Sequence, residues 1–117
     1  MFVFVYGTLK KGFYNHEYMN SKGDHAIFIQ VATISGKMYD LGAYPAINLV
    51  EERLVHGEVY EISSNILKQL DYLEGYPDLY SRTMIRINDE IQAWVYHMEY
   101  SRLKIFPRID TGFWNKK

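Results

Sequence analysis

Hydrophobic residues lie in short runs along the chain, separated by glycine and polar residues. The first run, residues 2–6, is apolar without interruption, rich in valine and aromatic side chains, and stops at Gly7. An unbroken apolar run of this length predicts a strand that is covered on both faces. Later runs predict strands within residues 27–40, with a bend at Gly36, and over residues 55–62, 79–87 and 91–99, the last two joined by a turn at 88–90.

A helix is predicted after residue 62, where apolar residues recur every three or four positions. Its N-cap candidates are Ser63, Ser64 and Asn65, and its apolar stripe is Ile66, Leu67, Leu70 and Leu73. Gly75 predicts the left-handed residue that ends this helix, and Pro77 prevents its continuation. A shorter helix is predicted over residues 15–19 and a turn over 42–45, whereas the tail from Ser101 shows no regular pattern.

These elements indicate one α+β domain. Two helices among about six strands, mostly without strand–helix–strand alternation, predict a curved or closed sheet. The composition is even from end to end, without an internal repeat or a proline-rich linker. Because 117 residues is a common length for one domain, we expect residues 1–117 to form a single domain.

Composition and charge disfavour several functional classes. The 13 Lys and Arg residues are balanced by 14 Asp and Glu residues, so the chain lacks the basic charge typical of nucleic-acid binders. Without cysteine it has no disulfide and no thiolate metal site. No apolar run approaches the ~20 residues that span a bilayer, and the first residues do not resemble a signal peptide. We therefore expect a cytoplasmic protein that binds neither nucleic acid nor membrane.

Three well-known site patterns are incomplete in this sequence. Residues 7–12 have the two glycines of a P-loop, but Phe13 and Tyr14 stand where lysine and serine or threonine are required. His16 begins a segment like a zinc-protease helix, but Asn20 replaces the second histidine of that motif. There is no Gly-x-Ser-x-Gly elbow and no cysteine nucleophile, which disfavours covalent acyl transfer.

The turn after the first strand is a candidate binding element. It consists of Tyr6, Gly7, Thr8 and Leu9, called the 6–9 turn below. A glycine at this place lets a ligand approach the backbone closely. Consecutive N–H groups in a turn can also point at a carboxylate or a developing oxyanion. The alternative is that Gly7 only ends a strand at a tight turn.

Glu74 is the candidate acid–base group. It falls at the predicted last residue of the helix, where exposed carbonyl groups carry partial negative charge and disfavour a carboxylate. That field, together with any burial beside Tyr72, Tyr76 or Pro77, would raise the pKa of Glu74 toward neutrality, as a proton-shuttling base requires near pH 7. The alternatives are a solvated glutamate or one paired with Arg82, and Asp71 competes for the role.

Tyr80 and Arg82 are predicted to share one face of a strand, because alternate residues of a strand point the same way. An arginine in this position could neutralise a ligand carboxylate or support Glu74. An exposed strand arginine without a role in binding is the alternative.

Taken together, four segments resemble the γ-glutamylcyclotransferase-like family, which includes γ-glutamylamine cyclotransferases and AIG2-like proteins. The segments are VFVYGTLKKG at residues 3–12 followed by Asn15-His16, MYDLGAYPA at 38–46, VHGEVYEI at 55–62, and LDYLEGY at 70–76 followed by Tyr80-Ser81-Arg82. They keep the order found in the family, and the similarity extends over about residues 2–100.

The resemblance implies a small mixed β-barrel of about six strands with two or more flanking short helices and a pocket at one end. It implies that the 6–9 turn binds a glutamyl moiety through backbone groups and that Glu74 is the catalytic glutamate. Glu74 would move a proton from the α-ammonium of a small γ-glutamyl substrate to the departing amine, giving 5-oxoproline without a metal or organic cofactor. Tyr44 and Tyr100 are further candidates for shaping the pocket, and the tail is assigned no site.

Two other functions stay open from the sequence. One is a non-catalytic module that binds a small ligand in the same pocket. The other is a nucleic-acid-binding barrel with an aromatic stacking face, suggested by the 11 tyrosines but disfavoured by the net charge of -1. No motif fixes the group attached to the γ-carbonyl of the substrate.

Overall fold

The computed structural model describes all residues, 1–117, and gives a mixed α+β fold. Its largest sheet has five strands in the order β4-β7-β1-β9-β8. The elements are β1 (Phe2–Val5), a 3-10 helix (His16–Met19), β2 (Asn20–Ser21), β3 (Asp24–His25), β4 (Ile27–Ser35), β5 (Lys37–Asp40), β6 (Pro45–Asn48), β7 (Leu54–Glu61), α1 (Ser64–Glu74), β8 (Ser81–Arg86), β9 (Gln92–His97), α2 (Tyr100–Leu103) and β10 (Arg108–Ile109).

Strand β1 is the centre of the five-stranded sheet, antiparallel to β7 and parallel to β9. Its side chains alternate between two hydrophobic clusters, because Val3 and Val5 join one cluster and Phe4 joins the other. Both faces of the strand are therefore covered, as the apolar run predicted. The chain leaves β1 in the interior, so the 6–9 turn begins at a buried position.

The strands form an open sheet and two smaller sheets. Strands β4 and β8 are the edges of the large sheet, β10, β5 and β6 form a three-stranded sheet, and β2 pairs with β3. The α+β class is confirmed, but the hydrogen-bonding ladders do not close, so the predicted barrel stays unconfirmed. Neither α-helix is long and apolar enough to cross a membrane.

Helix α1 follows its predicted boundaries and places Glu74 at its last residue. The Ser63 hydroxyl accepts a hydrogen bond from the Ile66 N–H at 3.2 Å and so caps the first turn. Ile66 and Leu70 are fully buried against the sheet. Gly75 then adopts the left-handed conformation, with φ 65°, that ends the helix.

The structure corrects two expectations about the less regular segments. The tail is not irregular throughout, because α2 begins at Tyr100 and β10 pairs with β5. The last residue of the turn expected at 42–45, Pro45, already belongs to strand β6, which the sequence analysis missed. Both strands are short, and β10 has only two residues, so neither carries enough alternation to be recognised from the sequence alone.

Candidate active site

A cavity of about 230 Å³ opens where the chain leaves β1. It joins residues from distant parts of the sequence, because the 6–9 turn, the segment that leads into β6, the end of α1 and the residues just before β8 all contribute. Its lining residues are Phe4, Val5, Tyr6, Gly7, Thr8, Leu9, Tyr14, Asn15, Tyr44, Pro45, Leu73, Glu74, Leu79, Tyr80 and Tyr96. Glu74 is the one charged residue among them.

The 6–9 turn is held from behind by the segment that follows it. The Lys10 N–H donates to the Gly7 carbonyl at 3.2 Å, and the Asn15 N–H donates to the Thr8 carbonyl at 3.0 Å. The Asn15 side-chain amide also donates to the Thr8 hydroxyl at 3.0 Å, and Nδ1 of His16 lies 2.8 Å from the Leu9 carbonyl oxygen. The carbonyl groups of Gly7, Thr8 and Leu9 thus all accept hydrogen bonds from within the protein.

The N–H groups of the same turn have no such partners. Those of Gly7, Thr8 and Leu9 donate to no acceptor of the chain, although all three residues are buried. A buried N–H group without an acceptor costs about 1–3 kcal/mol, so three in succession are rare unless they serve a ligand. Successive free N–H groups in a turn form a concavity that suits a carboxylate or an oxyanion.

Glu74 contributes an unpaired carboxyl group to the same cavity. It forms no hydrogen bond and no ion pair with the rest of the chain, which leaves both carboxyl oxygens available to a ligand. Burial raises the pKa of this carboxyl group to about 7. Tyr6, Tyr80 and Tyr96 line the same cavity as Glu74. Burial is the main cause of the raised pKa of each of these tyrosines, and the charge of Glu74 is a smaller one.

Three tyrosines around Glu74 are fixed by their hydroxyl groups. Tyr6 donates to the Tyr96 carbonyl at 2.8 Å, and Tyr80 donates to the Pro45 carbonyl at 2.7 Å. Tyr96 donates to the Asp71 carboxylate at 2.7 Å. Because each hydroxyl has an acceptor within the protein, the three rings form a rigid and largely apolar wall beside Glu74.

Arg82 and Tyr100 do not line the cavity. Arg82 forms a two-point ion pair with Asp71, with Nε–Oδ1 and NH2–Oδ2 distances of 2.9 and 3.2 Å, and its guanidinium lies between the Tyr76 and Trp94 rings. It therefore pairs with Asp71 rather than with Glu74, and supports the end of α1 from outside. Tyr100 lies on α2 and is 56% exposed.

The raised pKa of Glu74 is expected to make the unfolding free energy fall as the pH rises. The ordinary pKa of 4.5 applies to the unfolded chain and a value of about 7 to the folded protein. Between these values only the folded state holds the proton, so each pH unit costs up to about 1.4 kcal/mol. Urea denaturation at about pH 5 and about pH 7 measures this effect. From the lower to the higher pH, the unfolding free energy of the wild type should fall by roughly 2 kcal/mol more than that of Glu74→Gln. Equal pH dependence in both proteins would contradict the raised pKa.

Comparison with known proteins assigns the chain to a family. Residues 3–116 match the family model described as gamma-glutamyl cyclotransferase, AIG2-like. The chain belongs to this family. The match extends over nearly the whole chain, including the tail beyond residue 100, where the sequence analysis recognised no similarity.

Relatives and a solved structure agree with the family assignment. A Vibrio cholerae serotype O1 protein, provisionally named a gamma-glutamylcyclotransferase, is 42% identical over 113 residues, covering 96% of this chain and 93% of its own. Gamma-glutamylaminecyclotransferase A of Danio rerio is 35% identical over 113 residues, covering 80% of this chain and 66% of its own. The crystal structure of an AIG2-like protein from Mus musculus has a TM-score of 0.78 at 26% identity, covering 93% and 85%.

Several cavity residues of this γ-glutamyl cyclotransferase family member were missed by the sequence analysis. Tyr14, Asn15, Pro45, Leu73, Leu79 and Tyr96 line the cavity but were not proposed as site residues. Asn15 carried a usable signal, because it lies in the first family segment and its polar side chain follows a glycine-containing turn. No group of three or more His, Asp or Glu side chains is positioned to hold a metal ion.

Proposed function

We propose that the protein converts a small γ-glutamyl amide or amine into 5-oxoproline and a free amine. The observation that carries this proposal is the pairing, in one cavity, of two features: three N–H groups of buried residues without acceptors, and one unpaired carboxyl group whose pKa is raised by burial. The cavity volume of about 230 Å³ lies below the ~300–1,000 Å³ of sites for drug-sized ligands, and it suits a single glutamyl group.

The 6–9 turn supplies the electrostatic part of the reaction. The N–H groups of Gly7, Thr8 and Leu9 would bind oxygen atoms of the glutamyl group, including the γ-carbonyl oxygen as negative charge develops on it. Since these donors are held in place before the substrate arrives, no reorganisation is needed when the oxyanion forms. The hydrogen bonds from Asn15 to Thr8 maintain this orientation.

Glu74 supplies the proton transfer. In its ionised form it takes a proton from the α-ammonium group, and the free amine attacks the γ-carbonyl carbon to form a carbon–nitrogen bond within a five-membered ring. The tetrahedral intermediate then collapses, and Glu74 returns the proton to the leaving amine as the bond between that amine and the γ-carbon breaks. The ring nitrogen releases its second proton in the same step, and the free amine takes it up as an ammonium group. Substrate atoms are conserved between the two products, so neither water nor a redox partner is consumed.

Because the reaction closes a ring within one substrate molecule, the enzyme does not have to bring two reactants together. Both reacting groups belong to one substrate molecule, so the enzyme has only to hold the folded-back conformer in which they meet. The fixed rings of Tyr6, Tyr80 and Tyr96 provide the rigid wall that such a conformer requires. A pKa of about 7 lets Glu74 accept and return a proton near neutral pH.

The proposed function is tested by measuring release of 5-oxoproline from γ-glutamyl alkylamides and γ-glutamyl amino acids. We expect turnover of at least one class, with kcat/KM rising with pH and half-maximal near pH 7, because protonated Glu74 cannot accept the α-ammonium proton. The matched control is the same amide with an acetylated α-nitrogen, which cannot cyclise in this way. Tight binding of the amides without release of 5-oxoproline would instead identify a non-catalytic ligand-binding module.

A further inference from the structure

Lys10 is a buried cation that the proposed reaction does not use. The residue is 3% exposed, although it follows directly after the 6–9 turn. Its ammonium group donates to the backbone carbonyl of Trp114 at 2.7 Å. The same nitrogen lies 4.5 Å from the ring centroid of Phe13 and 4.2 Å from that of Phe113. The C-terminal tail thus supplies the hydrogen-bond acceptor and one of the two aromatic faces.

Lys10 connects its partners, the Trp114 carbonyl and the Phe13 and Phe113 rings, to the backbone of the 6–9 turn. Its own N–H group closes the turn by donating to the Gly7 carbonyl, and its own carbonyl accepts from the Phe13 N–H at 3.0 Å. A displacement of the Lys10 side chain therefore acts on the backbone that presents the Gly7, Thr8 and Leu9 N–H groups. The contact with Trp114 spans 104 residues of sequence, so it fixes the turn to a distant part of the chain.

The tail is itself well anchored. Trp114 is 1% exposed and belongs to the hydrophobic cluster that contains Phe4. The Gly112 carbonyl accepts a hydrogen bond from the His56 N–H of β7 at 2.9 Å. Lys116 forms an ion pair with Asp40 at 2.8 Å. Lys10 is therefore held by a segment that is itself bound to the five-stranded sheet through His56 and to the three-stranded sheet through Asp40.

A methionine or leucine would fill this space without the cost of removing an ammonium group from water. Burial lowers the pKa of Lys10, and the Glu58 carboxylate opposes that change. The carbonyl and the two aromatic faces offset part of the desolvation cost through charge-assisted and cation–π contacts. The hydrogen bond from the Lys10 ammonium group to the Trp114 carbonyl is directional, so it fixes the position of residue 10 relative to the tail. An apolar side chain makes no hydrogen bond and would fix that position less well.

We infer that Lys10 is a positioning residue for the 6–9 turn, and that the tail around Phe113 and Trp114 is part of the active-site scaffold through it. The inference rests on the proposed function for its kinetic test. The turn and Glu74 lie on different elements, so Lys10 governs how the glutamyl group is held and leaves proton transfer unaffected.

Lys10→Met is expected to raise KM about tenfold and to lower kcat as well, because a displaced turn binds both the glutamyl group and the developing oxyanion less well. The pH profile should keep its midpoint, since Glu74 is unchanged. Lys10→Arg, which keeps a charged donor for the Trp114 carbonyl, should recover most of the loss. The matched control is Lys11→Met, since Lys11 is the exposed neighbour. A purely structural defect would lower the active fraction and hence kcat, with KM unchanged, and that result would overturn the inference.

Phe113→Ala tests the contribution of the tail without removing a core residue, because Phe113 is 51% exposed. We expect Phe113→Ala to raise KM about threefold. The double variant Lys10→Met/Phe113→Ala should have the same KM as Lys10→Met alone. Additive effects of the two substitutions would show that the tail does not act through Lys10.

Amide hydrogen exchange gives a test that does not depend on turnover. In Lys10→Met, exchange at Lys10 and Phe13, whose N–H groups close the turn and the segment after it, should accelerate at least tenfold, while Lys11→Met matches the wild type. Unchanged exchange would overturn the inference. If the wild type releases no 5-oxoproline, the proposed function fails on its own, and the exchange result still decides whether Lys10 positions the turn.

Discussion

Replacing Glu74 with glutamine is expected to lower kcat by about 10²–10⁴-fold, the usual contribution of a general acid–base group. The amide has nearly the same shape as the carboxyl group but cannot accept the α-ammonium proton. Because Glu74 forms no hydrogen bond or ion pair within the chain, its replacement by the similarly shaped glutamine breaks neither kind of interaction. We therefore expect the variant to fold and to retain its affinity for the substrate.

The measurement is single-turnover release of 5-oxoproline, together with calorimetric binding of an uncyclised γ-glutamyl amide. Glu61→Gln, at an exposed glutamate of β7, is the matched control and should match the wild type in both. A Glu74→Gln variant that keeps more than a tenth of the wild-type kcat would exclude Glu74 as the proton carrier. The role would then pass to another group of the cavity or to the substrate itself.

Replacing Gly7 with alanine is expected to reduce kcat/KM by about 10²-fold, the scale of a misplacement of about 1 Å in a reactive site. A Cβ atom at residue 7 would lie 2.7 Å from Cγ and 2.8 Å from Cδ of Pro45, which is too close for either. Pro45 cannot easily retreat, because it begins β6 and its carbonyl accepts the Tyr80 hydroxyl. The 6–9 turn must therefore shift away from Pro45.

The control for this prediction separates the site from general stability. Overpacking at residue 7 should also cost about 1–3 kcal/mol of unfolding free energy. Gly36→Ala places a Cβ atom 3.1 Å from the Asn48 carbonyl oxygen, away from the cavity, and should lower stability without changing KM. Urea denaturation and steady-state kinetics on both variants decide the matter, since a Gly7→Ala enzyme with normal kcat/KM would show that the turn does not hold the substrate.

The elements that the sequence predicted well are those whose signals are local. Strand β1 is an uninterrupted apolar run, and both of its faces are buried. The N-cap Ser63 and the terminating Gly75 lie directly next to the two ends of helix α1. The sequence therefore predicted that Glu74 is the last residue of the helix. The 6–9 turn and Glu74 were named from these local patterns and lie on one cavity.

The features that the sequence did not predict depend on contacts between distant residues. Arg82 was a candidate for the pocket, but its partner Asp71 lies on α1 and holds it outside. Tyr96 enters the cavity only because β9 pairs in parallel with β1. The tail showed no periodic pattern, yet the burial of Trp114 and its contact with Lys10 tie it to the core. None of these contacts has a signature at short sequence separation.

The central claim is that the 6–9 turn and Glu74 act on one γ-glutamyl group, and a crystal structure of Glu74→Gln with an uncyclised γ-glutamyl alkylamide tests it most directly. The account predicts an α-nitrogen within about 3.5 Å of the side chain of residue 74, and a γ-carbonyl oxygen that accepts hydrogen bonds from N–H groups of Gly7, Thr8 or Leu9. A substrate bound in the cavity with its α-nitrogen turned away from residue 74, or with its γ-carbonyl oxygen held by another element, would contradict it.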